Sequence, residues 1–266
     1  MYAFLSLAAA MLYLAGSYQV ARALWQTRAM HTAQVMALGT AAIFLHLLAL
    51  APQIHSSAGL DLSLFHVFSL LSWLVAVLTL LLSLYRPMIS LAALAFPLAA
   101  VSLLGAQFIH IGYHPITHLS HADEAHILLS ILAYGLLSLA AAMAVVLHYQ
   151  NLRLKQRQPL PMGRLLPPLQ TLEDLLFDVV FAGWVLLTVA ISVGLSLATN
   201  LRAQHLVHKT VFSIAAWLLF AFLLAGRHQL GWRGPRSVRL TLIGFALLIV
   251  GFFGSKAVLE IVLHVN

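Results

Sequence analysis

Fourteen histidines punctuate this 266-residue chain, and their spacing is its first hint of chemistry. The densest run reads Gln107-Phe-Ile-His-Ile-Gly-Tyr-His-Pro-Ile-Thr-His-Leu-Ser-His-Ala-Asp-Glu-Ala-His126. His110, His114 and His118 are four apart, so on a continuous helix they share one face and can ligate a divalent metal. Gly112 and Pro115 oppose a continuous helix. The competing reading is a half-wet interfacial loop. His126 stands apart. It opens an apolar stretch, with Ser130 and Tyr134 at i+4 and i+8 on the same face. A neutral imidazole at a helix end, backed by hydroxyls, is a candidate ligand to iron. A helix-start histidine bonded to its neighbours is the plainer alternative. Near the C-terminus Lys256, Glu260 and His264 form a second stripe spaced by four. Lys256 and Glu260 are expected to neutralise each other, because burying either alone is costly. His205, His208 and Lys209 make a third group. Lys209 at a helix start opposes the helix dipole, which suits a cation kept to meet an anion. A lysine snorkelling to an interface explains it equally well.

The elements that must position these residues are membrane spans. The chain is 62% hydrophobic and 8% charged, too little polar surface to cover a soluble globule of this size. Apolar runs of about 20 residues rich in Leu, Ala and Val read as helices, not as barrel strands. The expected spans are 2–21, 33–52, 65–85, 88–107, 126–149, 174–198, 209–227 and 238–261. The fold class is therefore all-α: a polytopic membrane helix bundle of about eight transmembrane helices. The first apolar stretch has no basic residue ahead of it and reads as a first span, not a cleaved signal.

Charge then sets orientation. Arg22, Arg28, Arg86, Arg153, Lys155, Arg157, Arg164, Arg227, Arg233, Arg236 and Arg239 fall in loops on one side, and only Arg202, Lys209 and Lys256 on the other. That asymmetry marks the first side as cytoplasmic and places both termini outside, in the periplasm of a bacterial inner membrane. Histidines divide the opposite way. His46, His55, His66, His110, His114, His118, His121, His126, His205, His208 and His264 lie toward the outside, against His31, His148 and His228. The net charge of +7 is topological and implies no nucleic-acid partner. With no cysteines, thiolate metal sites and disulfides are excluded. At the start of the sixth span, Thr171 and Asp174 suggest a capping box, and Asp178, one turn deeper, is expected to pair with a basic residue. Residues 1–266 read as a single membrane domain, with the basic Gln150–Gln170 loop as the one seam.

The landmarks of the second half resemble a known family. They are His126-Ile-Leu-Leu-Ser-Ile-Leu-Ala-Tyr134, Leu166-Pro-Pro-Leu169, Phe181-Ala-Gly-Trp184, His208-Lys-Thr-Val-Phe-Ser-Ile-Ala-Ala-Trp217, Gly231-Trp-Arg-Gly234 and Phe253-Gly-Ser-Lys256. In combination they resemble the cytochrome c assembly protein family of haem-handling CcsA/CcmC-type membrane proteins, nearest its HemX-like and YpjD-like inner-membrane branch, over 126–266. The resemblance implies a non-covalent b-type haem, His126 and His264 as its two outer histidines, and His208 and Lys209 beside it. The family carries a tryptophan-rich platform of the form Trp-x-Trp-Asp-Pro-Lys-Glu. This chain reads Leu206-Val-His-Lys-Thr there, and only Lys209 and Trp217 hold register. A further membrane histidine of larger members falls near Ala225. Presentation of haem to an apocytochrome is thus put in doubt, whereas haem binding is not.

Three functions compete. The first is a non-enzymatic haem-binding protein of cytochrome c assembly or haem homeostasis, with the lipid bilayer and haem-pathway or cytochrome maturation proteins as partners. The second is a histidine-based divalent metal transporter or sensor using His110, His114 and His118. The third is a membrane regulator acting on a cytosolic partner through the basic 150–170 loop. The chain shows no phosphate-binding glycine loop, no Gly-x-Ser-x-Gly and no HExxH, so no catalytic residue is expected.

Overall fold

The structure is a computed structural model that describes residues 1–26, 30–56, 59–109, 116–117, 119–156, 166–197 and 204–258, with the backbone alone at 26, 56 and 204–209. Among these, eight helices are long and apolar enough to cross a membrane. They are built on α1 (Tyr2–Gln26), α2 (Thr32–Ile54), α3 (Leu64–Tyr85), α4 (Ala92–Phe108, led into by a 3-10 turn at Ile89–Leu91), α5 (His121–Lys155), α6 (Leu169–Leu197), α7 (Gln204–Leu230) and α8 (Pro235–Ile249). The last span continues past α8 through a π-helical turn, Val250–Gly254, into Ser255–Ala257. Every span leaves large apolar side chains on its surface, among them Phe4, Phe44, Leu81, Val101, Phe181, Leu218 and Phe222. Such surfaces need lipid as their solvent, and helices can meet it because their backbone groups are satisfied internally.

The chain forms two compact units, 1–117 with 152–169, and 118–151 with 170–266. In the first, α1 packs on α2 and α4, and α3 packs on α4 and α2. Phe96 of α4 is fully buried and sits where side chains at Gly16 and Gly39 would be, since a Cβ at Gly39 would lie 2.6 Å from its ring. Small residues let membrane helices approach closely. Below this apolar layer the helices are joined by polar groups. Tyr13 Oη lies 3.3 Å from His46 Nδ1, and His46 Nε2 lies 2.9 Å from Ser69 Oγ. Ser72 bonds Ser102 across α3 and α4. Gln53 Nε2 and Ser6 Oγ both donate to Gln107 Oε1, at 3.0 and 3.2 Å. At one end a small antiparallel pair, β1 (His55–Ser56) and β2 (Gly59–Leu60), is bridged to Ile116 by reciprocal 3.0 Å bonds with Leu60.

In the second unit Gly183 of α6 receives Leu137 of α5, and Gly244 of α8 receives the Phe220 ring of α7. Tyr134 of α5 is buried, packs at 5.6 Å on Phe252 of the π turn, and bonds Ser213 of α7. That one side chain therefore ties three helices together. Pro52 does not end α2 as its type suggests: it lies inside the last turn, which runs on to Ile54.

Candidate functional site

Local sequence explains why His126 stands where it does. Ser120 and Asp123 cap α5 reciprocally. The Ser120 backbone N–H donates to Asp123 Oδ2 at 3.0 Å, and the Asp123 backbone N–H donates to Ser120 Oγ at 3.2 Å. This satisfies donors that a helix start leaves open. The helix thus begins at His121, five residues earlier than apolarity alone suggests, and His126 lies in its second turn. The ring is half-buried. Its Nδ1 lies 2.9 Å from the carbonyl oxygen of Ala190 on α6. A carbonyl only accepts, so Nδ1 carries the proton and donates. Of the two neutral tautomers this bond selects the one whose lone pair is on Nε2, and no described residue bonds Nε2. A ligating histidine characteristically donates its other ring nitrogen to a carbonyl or carboxylate, which fixes tautomer and ring angle.

Gly194 makes this bond possible. In an α-helix the carbonyl of Ala190 points toward residue 194. A Cβ at Gly194 would lie 2.7 Å from His126 Cε1 and 3.0 Å from Nδ1. Without one, the second lone pair of the Ala190 oxygen is open to the imidazole. Two turns deeper on α5, Tyr134 with Ser213 and Phe252 closes the helices together. On α6 and α7 the Trp184 and Trp217 rings stack at 5.6 Å with 19° between planes. Trp184 Nε1 donates to the Trp217 carbonyl at 3.2 Å, and Trp217 Nε1 to Thr188 Oγ1 at 2.7 Å.

The other expected site residues fare unevenly. His264, Glu260, His110, His114 and His118 lie outside the described residues. His208 and Lys209 are on the first turns of α7, where the backbone alone is described. Among the described residues no three His, Asp or Glu are grouped to hold a metal ion. One histidine proves interior, and two local expectations need correction. His46 is fully buried inside the first unit with both nitrogens bonded, so it is not an accessible histidine. Thr171 does not cap α6, because that helix already begins at Leu169. Asp174, not Asp178, makes the ion pair: Arg227 Nη2 lies 2.6 Å from its Oδ1, while Asp178 has none among the described residues.

At the β2–α3 turn, His66 Nδ1 lies 3.1 Å from Asp61 Oδ1 and 2.9 Å from Ser63 Oγ. The Ser63 backbone N–H donates to Asp61 at 2.8 Å. Partial burial works against the Asp61 charge, but the Ser63 and His66 contacts outweigh it and hold its carboxyl below the usual carboxylate range.

A multi-pass helical membrane protein whose half-buried imidazole is oriented by a backbone carbonyl is the class that fold and site define. The chain belongs to the Cytochrome C assembly protein family, whose model matches residues 37–263. That match extends well ahead of the landmark motifs, into α2. The chain is 33% identical to the protein named "Inner membrane protein YpjD" of Escherichia coli (strain K12), over 83% of this chain and 84% of that one. It is 30% identical to an "Uncharacterized 28.8 kDa protein in nifR3-like 5'region" of Azospirillum brasilense, over 53% of this chain and 52% of that one. No solved structure matches it.

Proposed function

We propose that this chain is a haem-binding, non-enzymatic protein of the bacterial inner membrane that serves cytochrome c assembly or haem homeostasis. The observation that carries the reading is His126: a half-buried imidazole whose Nδ1 is held by the Ala190 carbonyl, leaving Nε2 unengaged. This is the arrangement of a ligand ready for a metal centre. Family membership supports haem as that centre, and a relative named as an inner membrane protein supports the location. In this reading His126, through Nε2, and His264 would hold the haem iron, and Lys209 with His208 would meet the propionates. Bound haem would supply an iron whose affinity and potential depend on those imidazoles. The chain's own part is to fix the His126 tautomer, keep its ring angle and cover the porphyrin face with apolar helix surface.

The experiment is expression of the full chain in haem-replete cells, purification in detergent, and an absorption spectrum. A Soret band is expected, lost in a His126→Ala/His264→Ala double variant that still folds. A colourless wild-type protein sinks the proposal. Stoichiometric zinc that survives dialysis and depends on His110, His114 and His118 would favour the divalent-metal reading instead.

A further inference from the structure

The turn between α7 and α8 is built more firmly than a connector needs to be. Its sequence is Gly231-Trp-Arg-Gly234, and both glycines hold left-handed backbone, with φ of 61° and 64°. The Trp232 indole lies directly on Gly226 of α7, where any side chain would collide with it. It also meets the Phe222 ring at 4.9 Å, edge to face. Glu173 of α6, nearly fully buried, accepts the Gly234 backbone N–H. Arg227 binds Asp174, donates to the Trp232 carbonyl at 3.3 Å, and covers the Phe177 ring at 4.7 Å. The two carboxylates that touch this turn are therefore already engaged.

Three guanidiniums project from that frame. Arg233, Arg236 and Arg239 are exposed, and no carboxylate among the described residues, Asp178 included, is within ion-pair distance of any of them. Arg236 also lies 5.4 Å over the Trp232 ring, which steadies it. The position is a membrane boundary, since α7 ends its span at Leu230 and α8 begins the next at Pro235. Helical spacing places Arg236, Arg239, Ile243 and Val250 on one face of the last span. Ile243 and Val250 are each 52% exposed. That face is cationic at the boundary and apolar below it, over a distance of about three turns of helix.

We propose that this face is a binding site for an anionic phospholipid, its phosphate held by Arg233, Arg236 and Arg239 and its acyl chains laid along Ile243 and Val250. A soluble phosphate matches the guanidiniums but not the apolar stripe beneath them. Ordinary topological arginines match the charge but need no fixed aromatic frame. Each arginine near an anionic headgroup should be worth about fivefold in affinity, so all three on the order of 100-fold.

The test uses the full chain in detergent, with cardiolipin, phosphatidylglycerol, phosphatidylcholine or inorganic phosphate added. Thermal unfolding and native mass spectrometry are the readouts. Cardiolipin or phosphatidylglycerol should raise the unfolding temperature and remain bound. Phosphatidylcholine and inorganic phosphate should do neither. The Arg233→Gln/Arg236→Gln/Arg239→Gln variant should lose the effect, and Arg86→Gln, at the end of α3, should keep it. If the triple variant does not fold, the three single variants should each bind about fivefold more weakly. Undiminished binding in those variants, an equal loss in Arg86→Gln, or an equal response to phosphatidylcholine overturns the proposal. A response to inorganic phosphate alone would mean an anion site with no lipid preference and overturns it too.

Discussion

Gly194→Ala is the sharpest test of how His126 is held. Carbon atoms in contact rest about 3.5 Å apart or more, and the new Cβ would lie 2.7 Å from His126 Cε1. The ring must therefore move by roughly 0.8 Å. Movement away from α6 stretches the 2.9 Å bond to the Ala190 carbonyl past the useful range, and a hydrogen bond of this kind contributes about 1 kcal/mol. Crowding a packed site adds to that, so the substitution should destabilise the second unit by about 1–3 kcal/mol. The magnitude does not require haem, because clash and bond both lie within the apoprotein.

The assay is a double-mutant cycle, read by reversible denaturant unfolding of the detergent-solubilised chain. In the His126→Ala background the clash has no target. Alanine for glycine within a helix is then neutral or stabilising by up to about 1 kcal/mol. The sign of the Gly194→Ala effect should thus change between the two backgrounds, a non-additivity expected only of groups in contact. The same loss in both backgrounds would refute the argument that Gly194 exists to admit the imidazole. If haem is then shown to bind, Gly194→Ala should also alter the ligand-field spectrum, while a distant helix glycine such as Gly16 should not.

Three further outcomes follow from contacts elsewhere. His46→Leu should destabilise the first unit by about 1–3 kcal/mol, because it strands Tyr13 Oη and Ser69 Oγ. Ser69→Ala should cost more than Tyr13→Phe, since the serine bond is the shorter, and thermal melts rank the three. Asp174→Asn should change stability by at most about 1 kcal/mol and lose its effect in high salt, because that pair is partly exposed. Asp61 sets a pH dependence. Its folded carboxyl is held low, so its contribution is complete above the ordinary carboxylate value, near 4. It is then lost as pH falls through the lowered folded value. Asp61→Asn should flatten that acid limb in a pH series of melts; an unchanged limb would mean that the Ser63 and His66 contacts do not form.

How much of this was legible beforehand depends on the range of the interaction. The eight spans follow from hydropathy, which is local and has no competitor in a chain with so few charges. Helix starts are harder. Apolarity places the fifth at His126 and cannot see the polar turn ahead of it, although Ser120-x-x-Asp123 was readable as a cap. The same signature at Thr171-x-x-Asp174 misled, because Asp174 was needed by Arg227, 53 residues away. His126 stood out by type and position. Its holder did not, because a backbone carbonyl has no residue type and Ala190 looks like any other alanine of an apolar span. Gly194, four residues on, was the one visible trace, and only the bound imidazole gives it meaning. His46 shows what a count by side leaves out. Counting histidines by side does not say which are exposed, and a histidine with Tyr13 and Ser69 across the bundle remains in the interior as a hydrogen-bonded group. The asymmetry of histidines is therefore less uniform than their count. His46 joins helices through both ring nitrogens, His66 secures a turn through Nδ1 bonded to neighbours in sequence, and His126 is held through Nδ1 by a backbone carbonyl of another membrane helix. Being held between two membrane helices by a backbone carbonyl, and not abundance, is what singles out His126 as the residue to test for ligation.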